Sequence, residues 1–187
     1  MNDQDRAVVL VEGVSDQVAL ETIAERRGRD LAAEGVGVVP MGGVRNIGRY
    51  LERYGPGGLG LGLAGLCDAG EEGEVRVGLE RAGLGVGQGL AGLEAAGFYV
   101  CVADLEDELI RCLGAATVER VIAAQGELRS FRTLQRQPAQ RDRSLEQQLH
   151  RFLGSGGGRK LRYARLLADA LDPTAVPRPL DRVLARF

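Results

Sequence analysis

The sequence predicts an α/β fold: a parallel sheet of about four strands flanked by helices, followed by a C-terminal helical extension. Three observations carry this. Four short apolar runs, AVVLV at 7–11, VGVVP at 36–40, LGLGLAGLC at 59–67 and FYVCV at 98–102, have the length and continuity of buried strands. Helix-like segments alternate with them, which points to βαβ units with helices on both faces of the sheet. From Asp104 onward the pattern becomes helical and stays so.

The first strand ends at Glu12-Gly13, and Ser15 is placed to cap a helix over about 16–33, with Val18, Leu20, Ile23, Ala24 and Leu31 on its apolar face. The second strand closes at Met41-Gly42-Gly43. A helix over about 44–54 turns Ile47, Tyr50 and Leu51 inward and stops at Gly55-Pro56-Gly57-Gly58. The third strand delivers Asp68 at its end. A helix is expected around 74–82, then a looser glycine-rich stretch before the fourth strand. Further helices are predicted at 104–113, 115–125, about 144–153 and 159–171. The Arg-rich segment 129–143 reads as a loop, Gly154–Gly158 as a linker or ligand-facing loop, and 173–187 as an extended wrap ending in one helical turn. The expected division is an α/β core at 1–114 and a helical extension at 115–187 packed on it.

Composition excludes several classes of function. The formal net charge of −2 provides no global basic field, so any nucleic-acid contact must come from a local patch. Cys67, Cys101 and Cys112 lack metal-ligand spacing and read as buried thiols of a soluble, cytoplasmic protein. No apolar run reaches membrane length, and MNDQDRAVVL lacks the layout of a signal peptide. His150 is the single histidine, which argues against a His-based zinc site and a Ser-His-Asp triad. It lies in a polar helical stretch and reads as a surface or satisfied histidine. Lys160 is the single lysine beside many arginines, so either it survives by chance or it does what arginine cannot.

The chemistry concentrates at strand ends. Glu12 projects from the tip of the first strand and Asp16 from the first turn of the following helix. Ligands of open α/β sheets bind outside these carboxyl ends. Asp68 ends the third strand with Glu71 and Glu72 close behind, and Asp104, Glu106, Asp107 and Glu108 follow the fourth. Carboxylates converging on one site repel unless a cation lies between them, and oxygen donors favour Mg²⁺ or Mn²⁺. The competing reading is ordinary decoration: Glu12 in solvent, Asp16 complementing a helix dipole, and some of 104–108 serving as helix N-terminal acids.

The order strand-EG-x-x-D-helix, strand-GG, strand-D resembles the Toprim fold shared by topoisomerases, bacterial primases and several nucleases. Gly42-Gly43 with Asn46-Ile47, ADLEDELIRCLG at 103–114 and Lys160 within GGGRKLRYARLLADAL narrow it. With these the chain is similar to the Toprim half of OLD (overcoming lysogenization defect) family nucleases over roughly 7–172. The resemblance implies a Toprim-like sheet and a metal-dependent nuclease that nicks or cleaves DNA. It implies that Glu12 and Asp16 ligate one metal, that Asp68 ligates a second or shared one, that Glu106 completes the acidic set, and that Lys160 approaches the scissile phosphate. Glu12 and Lys160 are then the expected catalytic residues. A separate ATPase chain and a second copy of this chain are partners it leaves open.

Toprim proteins usually carry Asp-x-Asp on the third strand, but Gly70 stands in the second position here. Glu71 or Glu72 is then needed in its place; without either, a one-metal enzyme, or a non-catalytic module that binds nucleic acid or a partner, is the alternative. The run GSGGGRKL at 154–161 is not a P-loop, because Arg159 precedes Lys160 and Leu161 replaces Ser/Thr. Arginines 129, 132, 136, 141, 143, 151, 159, 162 and 165 crowd the C-terminal third. Arg132, Arg136, Arg159 and Arg162 are the expected contacts to a nucleic-acid backbone, with a solvated face paired to acids such as Glu146 and Asp169 as the alternative. At 4% aromatic content, base stacking is not the expected mode.

Overall fold

The computed structural model describes residues 5–156 and 158–187; residues 1–4, and Gly157 within the predicted glycine linker, lie outside the described residues. Four strands, β1 (Ala7–Val11), β2 (Val36–Pro40), β3 (Gly62–Asp68) and β4 (Phe98–Cys101), form one sheet. Its order is β2-β1-β3-β4 and all pairs are parallel. The chain leaves β1 toward β2 on one side and returns to β3 on the other. The order therefore reverses between β1 and β3, and a crevice opens there at the carboxyl ends of the strands. Glu12 follows β1 and Asp68 ends β3, so both flank this point.

Alternate β1 side chains divide between two cores, as the two-residue period of a strand requires. Ala7, Val9 and Val11 enter one core and Val8 and Leu10 the other. The second core is closed by α2 (Ile47–Tyr54), α3 (Glu72–Arg81) and α4 (Gly89–Ala95), through Ile47, Leu51, Val75, Leu79 and Leu93. The first face carries α1 (Val14–Arg26), α5 (Leu105–Leu113), α6 (Ala115–Ala124), α7 (Leu128–Gln135), α8 (Leu145–Leu153), α9 (Arg159–Ala170) and α10 (Arg178–Leu184). Their apolar sides join β1 in one continuous core that includes Phe131, Phe152 and Tyr163. Thus the C-terminal helices cover the sheet face that α1 alone would leave open. No helix of the described residues is long and apolar enough to cross a membrane.

The strand cores are tight enough to select glycine. A Cβ on Gly65 would meet Phe98 Cε1 at 2.6 Å and the Leu10 carbonyl oxygen at 2.9 Å. Phe98 is fully buried and cannot swing aside. Gly65→Val is expected to lower stability by about 1–3 kcal/mol through overpacking. A urea midpoint equal to wild type would contradict that.

Several expectations need correction. The first helix starts at Val14 with Gly13 as its cap residue and ends at Arg26, short of the predicted 33. Ser15 is buried within the first turn, and Asp16 accepts the Gly13 N–H at 2.9 Å instead. Leu59 ends the preceding turn and Gly60 and Leu61 lie outside the sheet, so β3 starts later than predicted. Tyr54 is the buried tyrosine of α2, whereas Tyr50 is half-buried. The segment 129–143 is not all loop: α7 takes its first part, to Gln135, because Phe131 docks fully in the core, and a 3₁₀ turn at Pro138–Gln140 follows. The glycine-rich stretch after α3 holds α4, anchored by Leu93. The C-terminal wrap ends in the seven-residue helix α10 rather than a single turn. Cys67 and Cys101 are buried as predicted, but Cys112 is exposed, its Sγ 3.0 Å from the Ala175 carbonyl oxygen.

Candidate metal centre

Glu12 leaves β1 at its carboxyl end, where its own carbonyl accepts the N–H groups of Gly42 and Gly43 at 2.9 and 3.1 Å. The Gly-Gly turn after β2 thereby fixes the backbone that carries Glu12. Gly42 and Gly43 both have positive φ, which a residue with a side chain would adopt only under strain. From the next strand over, Asp68 closes β3 and the chain turns at once through Ala69–Glu71 into α3. That turn brings Glu71 back: one carboxylate oxygen from each of Glu12, Asp68 and Glu71 lies within 4.8 Å of the others.

This grouping is electrostatically unfavourable without a countercharge. Burial, then the negative charges of Asp104, Glu12, Glu71 and Asp16, push the Asp68 carboxyl up to about 7. Burial and Glu12 also raise Glu71, and burial raises Asp16. Glu71 Oε2 is buried with no hydrogen-bond partner. A buried carboxylate oxygen without a donor is costly, and a cation satisfies it. The three oxygen donors, their mutual repulsion and the unpartnered oxygen fit a hard divalent ion such as Mg²⁺ or Mn²⁺.

A second cluster adjoins the first. Asp104 caps α5 by accepting the Asp107 N–H at 2.8 Å, and its other oxygen lies 2.6 Å from His150 Nε2 on α8. Burial works against ionising Asp104, but the His150 and Asp107 hydrogen bonds outweigh it and hold its carboxyl below the usual range. Reciprocally, the hydrogen bond to Asp104 raises the His150 imidazole. Asp104, Glu106 and His150 each place a ligand atom within 4.8 Å of the others. Glu106 is 5% exposed, and its Oε1 has no partner. Lys160 Nζ, near the start of α9, is 3.4 Å from Glu106 Oε2. Burial disfavours the Lys160 charge, but Glu106 and Asp16 more than compensate, so the ammonium stays protonated above its ordinary range. Asp68, Asp104 and His150 line a cleft of about 550 Å³. A groove of about 580 Å³ beside β2 is lined by none of these residues.

The structure therefore sorts the residues singled out in the sequence. Glu12, Asp68 and Glu71 meet. Asp16 lies behind them, its carboxylate engaged by the Gly13 N–H but close enough for its charge to act on Asp68 and Lys160. Glu72 turns to an i,i+4 ion pair with Arg76 at 3.0 Å. Glu106 and Lys160 meet each other. Asp107 and Glu108 both pair with Arg111, and Glu108 also accepts the Val102 N–H at 2.9 Å, so these two are structural acids.

The arginines separate as well. Arg132 pairs with Glu119 at 2.8 Å. Arg159 lies over the Phe152 ring and pairs with Glu127, and Arg162 also pairs with Glu127, at 2.7 Å. Burial opposes the Glu127 charge, but hydrogen bonds from Arg162, Tyr163 and Arg159 hold its carboxyl down at about 2. Arg136 is exposed. Sequence reasoning read His150 as surface or satisfied; the structure gives it Asp104 as a partner across 46 residues. Nothing local in the sequence signals that contact.

The profile of the OLD-like TOPRIM domain (overcoming lysogenization defect protein-like, TOPRIM domain) matches residues 5–68, a segment that contains Glu12, Asp16 and Asp68. Among solved structures, the C-terminal region of the Xanthomonas campestris pv. campestris OLD protein is similar with a TM-score of 0.73 and 24% identity, over 98% of this chain and 95% of that one. The C-terminal region of the Burkholderia pseudomallei OLD protein is similar with a TM-score of 0.72 and 21% identity, over 97% and 96%. No curated protein matches the sequence.

Proposed function

We propose a Mg²⁺- or Mn²⁺-dependent nuclease that nicks or cleaves DNA, a reading supported by the match of residues 5–68 to the OLD-like TOPRIM domain, a family associated with nuclease function, and by a fold similar to that of OLD C-terminal regions. One observation carries the reading: Glu12, Asp68 and Glu71 converge at the point where the strand order reverses, and Glu71 keeps a buried oxygen unpartnered. Glu71 occupies the role that Gly70 leaves vacant in the third-strand motif. Its longer side chain, swung back by the turn after β3, reaches the cluster.

In this reading Glu12, Asp68 and Glu71 hold one ion, and Asp104, Glu106 and His150 supply donors for a second. Asp16 adds negative charge behind the first group and braces the Gly13 turn. A bound divalent ion would make water a stronger nucleophile at neutral pH and offset charge on the phosphoryl oxygens. The protein's own contribution is placement. Lys160 presents a half-exposed ammonium beside Glu106, where it donates to a phosphate oxygen as negative charge builds there. Backbone phosphates, not bases, are the recognised feature, since aromatic side chains are few and sequence-independent contact needs only cations.

Wild-type protein incubated with supercoiled plasmid and Mg²⁺ or Mn²⁺ is expected to produce nicked circles, and EDTA to stop the reaction. Glu12→Ala and Lys160→Ala are each expected to slow nicking by roughly 100-fold or more, the scale of losing one transition-state contact. DNA binding without metal-dependent nicking, equal in wild type and variants, would favour instead a non-catalytic Toprim module, the reading that Gly70 supports.

A further inference from the structure

The cleft of about 550 Å³ that opens beside Asp68 and Asp104 has one arginine in its lining, Arg143, together with Glu146, Gln147 and His150. Arg143 differs from Arg132, Arg159 and Arg162 in being uncommitted: among the described residues its side chain has no ion-pair or hydrogen-bond partner. Its backbone, by contrast, is held from both sides. The Arg143 N–H donates to the Gln140 carbonyl at 3.2 Å, and its carbonyl accepts from Gln148 Nε2 at 3.2 Å. Gln140 is buried, so the arginine stands on a fixed base at the mouth of the cleft, immediately before Ser144 caps α8. Gln147 uses its amide oxygen to accept the Ser144 N–H, which leaves its NH₂ to donate into the same space.

Resting on the nuclease reading above, we propose that Arg143 is the positioning residue for the DNA strand. Its guanidinium clamps a backbone phosphate neighbouring the scissile one, in the cleft that leads to Asp68. The charge pattern requires such a group. Four acids, Asp68, Asp104, Asp107 and Glu146, line the cleft against one histidine, His150, which is already taken up by Asp104; the acids attract divalent ions but repel a polyanion. Lys160 is held beside Glu106 and serves the reacting phosphate. A planar, permanently charged guanidinium with two parallel donors is suited to grip a second phosphate and fix the register of the strand.

The test uses the full chain, a short DNA duplex and two readouts. Binding is measured by fluorescence anisotropy in Ca²⁺ across a salt series, and cleavage by steady-state kinetics in Mn²⁺. Arg143→Gln is expected to raise Kd and KM roughly tenfold, the scale of losing one charge-assisted hydrogen-bonded contact, with kcat changed less than about twofold. The slope of log Kd against log salt should fall by about one counterion. Arg143→Lys should restore most of the salt slope but only part of the affinity, because an ammonium cannot grip two oxygens at once. An Arg143→Gln protein with wild-type Kd and salt slope overturns the proposal, whether or not the wild type cleaves, and so does a wild type that binds no duplex in Ca²⁺. Weakened binding in Arg143→Gln alongside a wild type that binds duplex but cleaves with no divalent ion present or added leaves Arg143 in place only as a DNA contact and removes the metal dependence, whereas weakened binding alongside a wild type that does not cleave in Mn²⁺ leaves Arg143 in place and removes the nuclease reading alone.

Discussion

Asp68→Asn is expected to remove most of the response to divalent ions while making the ion-free protein more stable. The carboxyl of Asp68 is raised from an ordinary 3.8 to about 7 by burial and four neighbouring acids. A raised carboxyl favours the folded state while it is protonated. That contribution is fully present below about pH 4 and is lost as pH rises through about 7. At pH 8 the wild type therefore carries an uncompensated charge that asparagine removes, so the ion-free variant should melt higher than wild type. The ion response runs the opposite way. Mg²⁺ or Mn²⁺ should raise the wild-type melting temperature more at pH 8 than at pH 5.5. Ion affinity should fall about tenfold per pH unit below 7, as one proton competes with the ion. In Asp68→Asn the ion-induced shift should shrink to what the Asp104, Glu106 and His150 group supplies, and cleavage should drop by about 100-fold or more, since even outer-shell partners of a metal cost 10–100-fold. Thermal melts with and without ion at both pH values measure all of this. A variant less stable than wild type at pH 8 that keeps the full wild-type response to Mg²⁺ would remove Asp68 from the metal centre.

Much of this centre is readable in the sequence because strand ends are. A run such as AVVLV must be buried, so the acid that follows it stands at a sheet edge, and two such edges meet wherever the strands are neighbours. Asp68 and Glu12 follow from that reasoning alone. The choice between Glu71 and Glu72 is readable in principle: Glu72 and Arg76 have the spacing of a helical ion pair, which leaves Glu71 free to turn back. Other features depend on contacts across the chain and leave no local trace. Arg159 and Arg162 lie more than 30 residues from Glu127, which pairs with both, so their value as DNA contacts cannot be judged from an arginine-rich stretch. Helix α7 is obscured for the same reason. Its polar faces dominate the segment, and only Phe131, supported by Leu128 and Leu134, ties it to the core. Likewise α4 is written in glycine and alanine, and a single fully buried residue, Leu93, holds it down.

Cutting the chain after residue 114 should leave a fragment that does not fold. A boundary there looks natural in the sequence, where alternation of strands and helices gives way to helices alone. The packing makes that boundary costly. Helix α1 lies against α9 more extensively than against any strand. Tyr163, Ala164, Leu167 and Ala168 of α9 share one core with Ala19, Leu20, Ile23 and Ala24 of α1 and with Val9 and Val11 of β1, and α10 adds Leu180, Val183 and Leu184. Removing 115–187 exposes this entire surface on a fragment small enough that its remaining core is marginal. Residues 1–114 alone should therefore lack a cooperative urea transition and aggregate on concentration. The single substitution Phe131→Ala, far from the sheet, should cost the full chain about 3–5 kcal/mol, because the cavity opens in that shared core. A fragment 1–114 that unfolds cooperatively with the circular dichroism of an α/β protein would make the helical part a separate domain. If it does not fold, Lys160 and His150 sit on helices that are integral to the sheet domain, and the acids at the strand ends gain a rigid wall opposite them rather than a detachable lid.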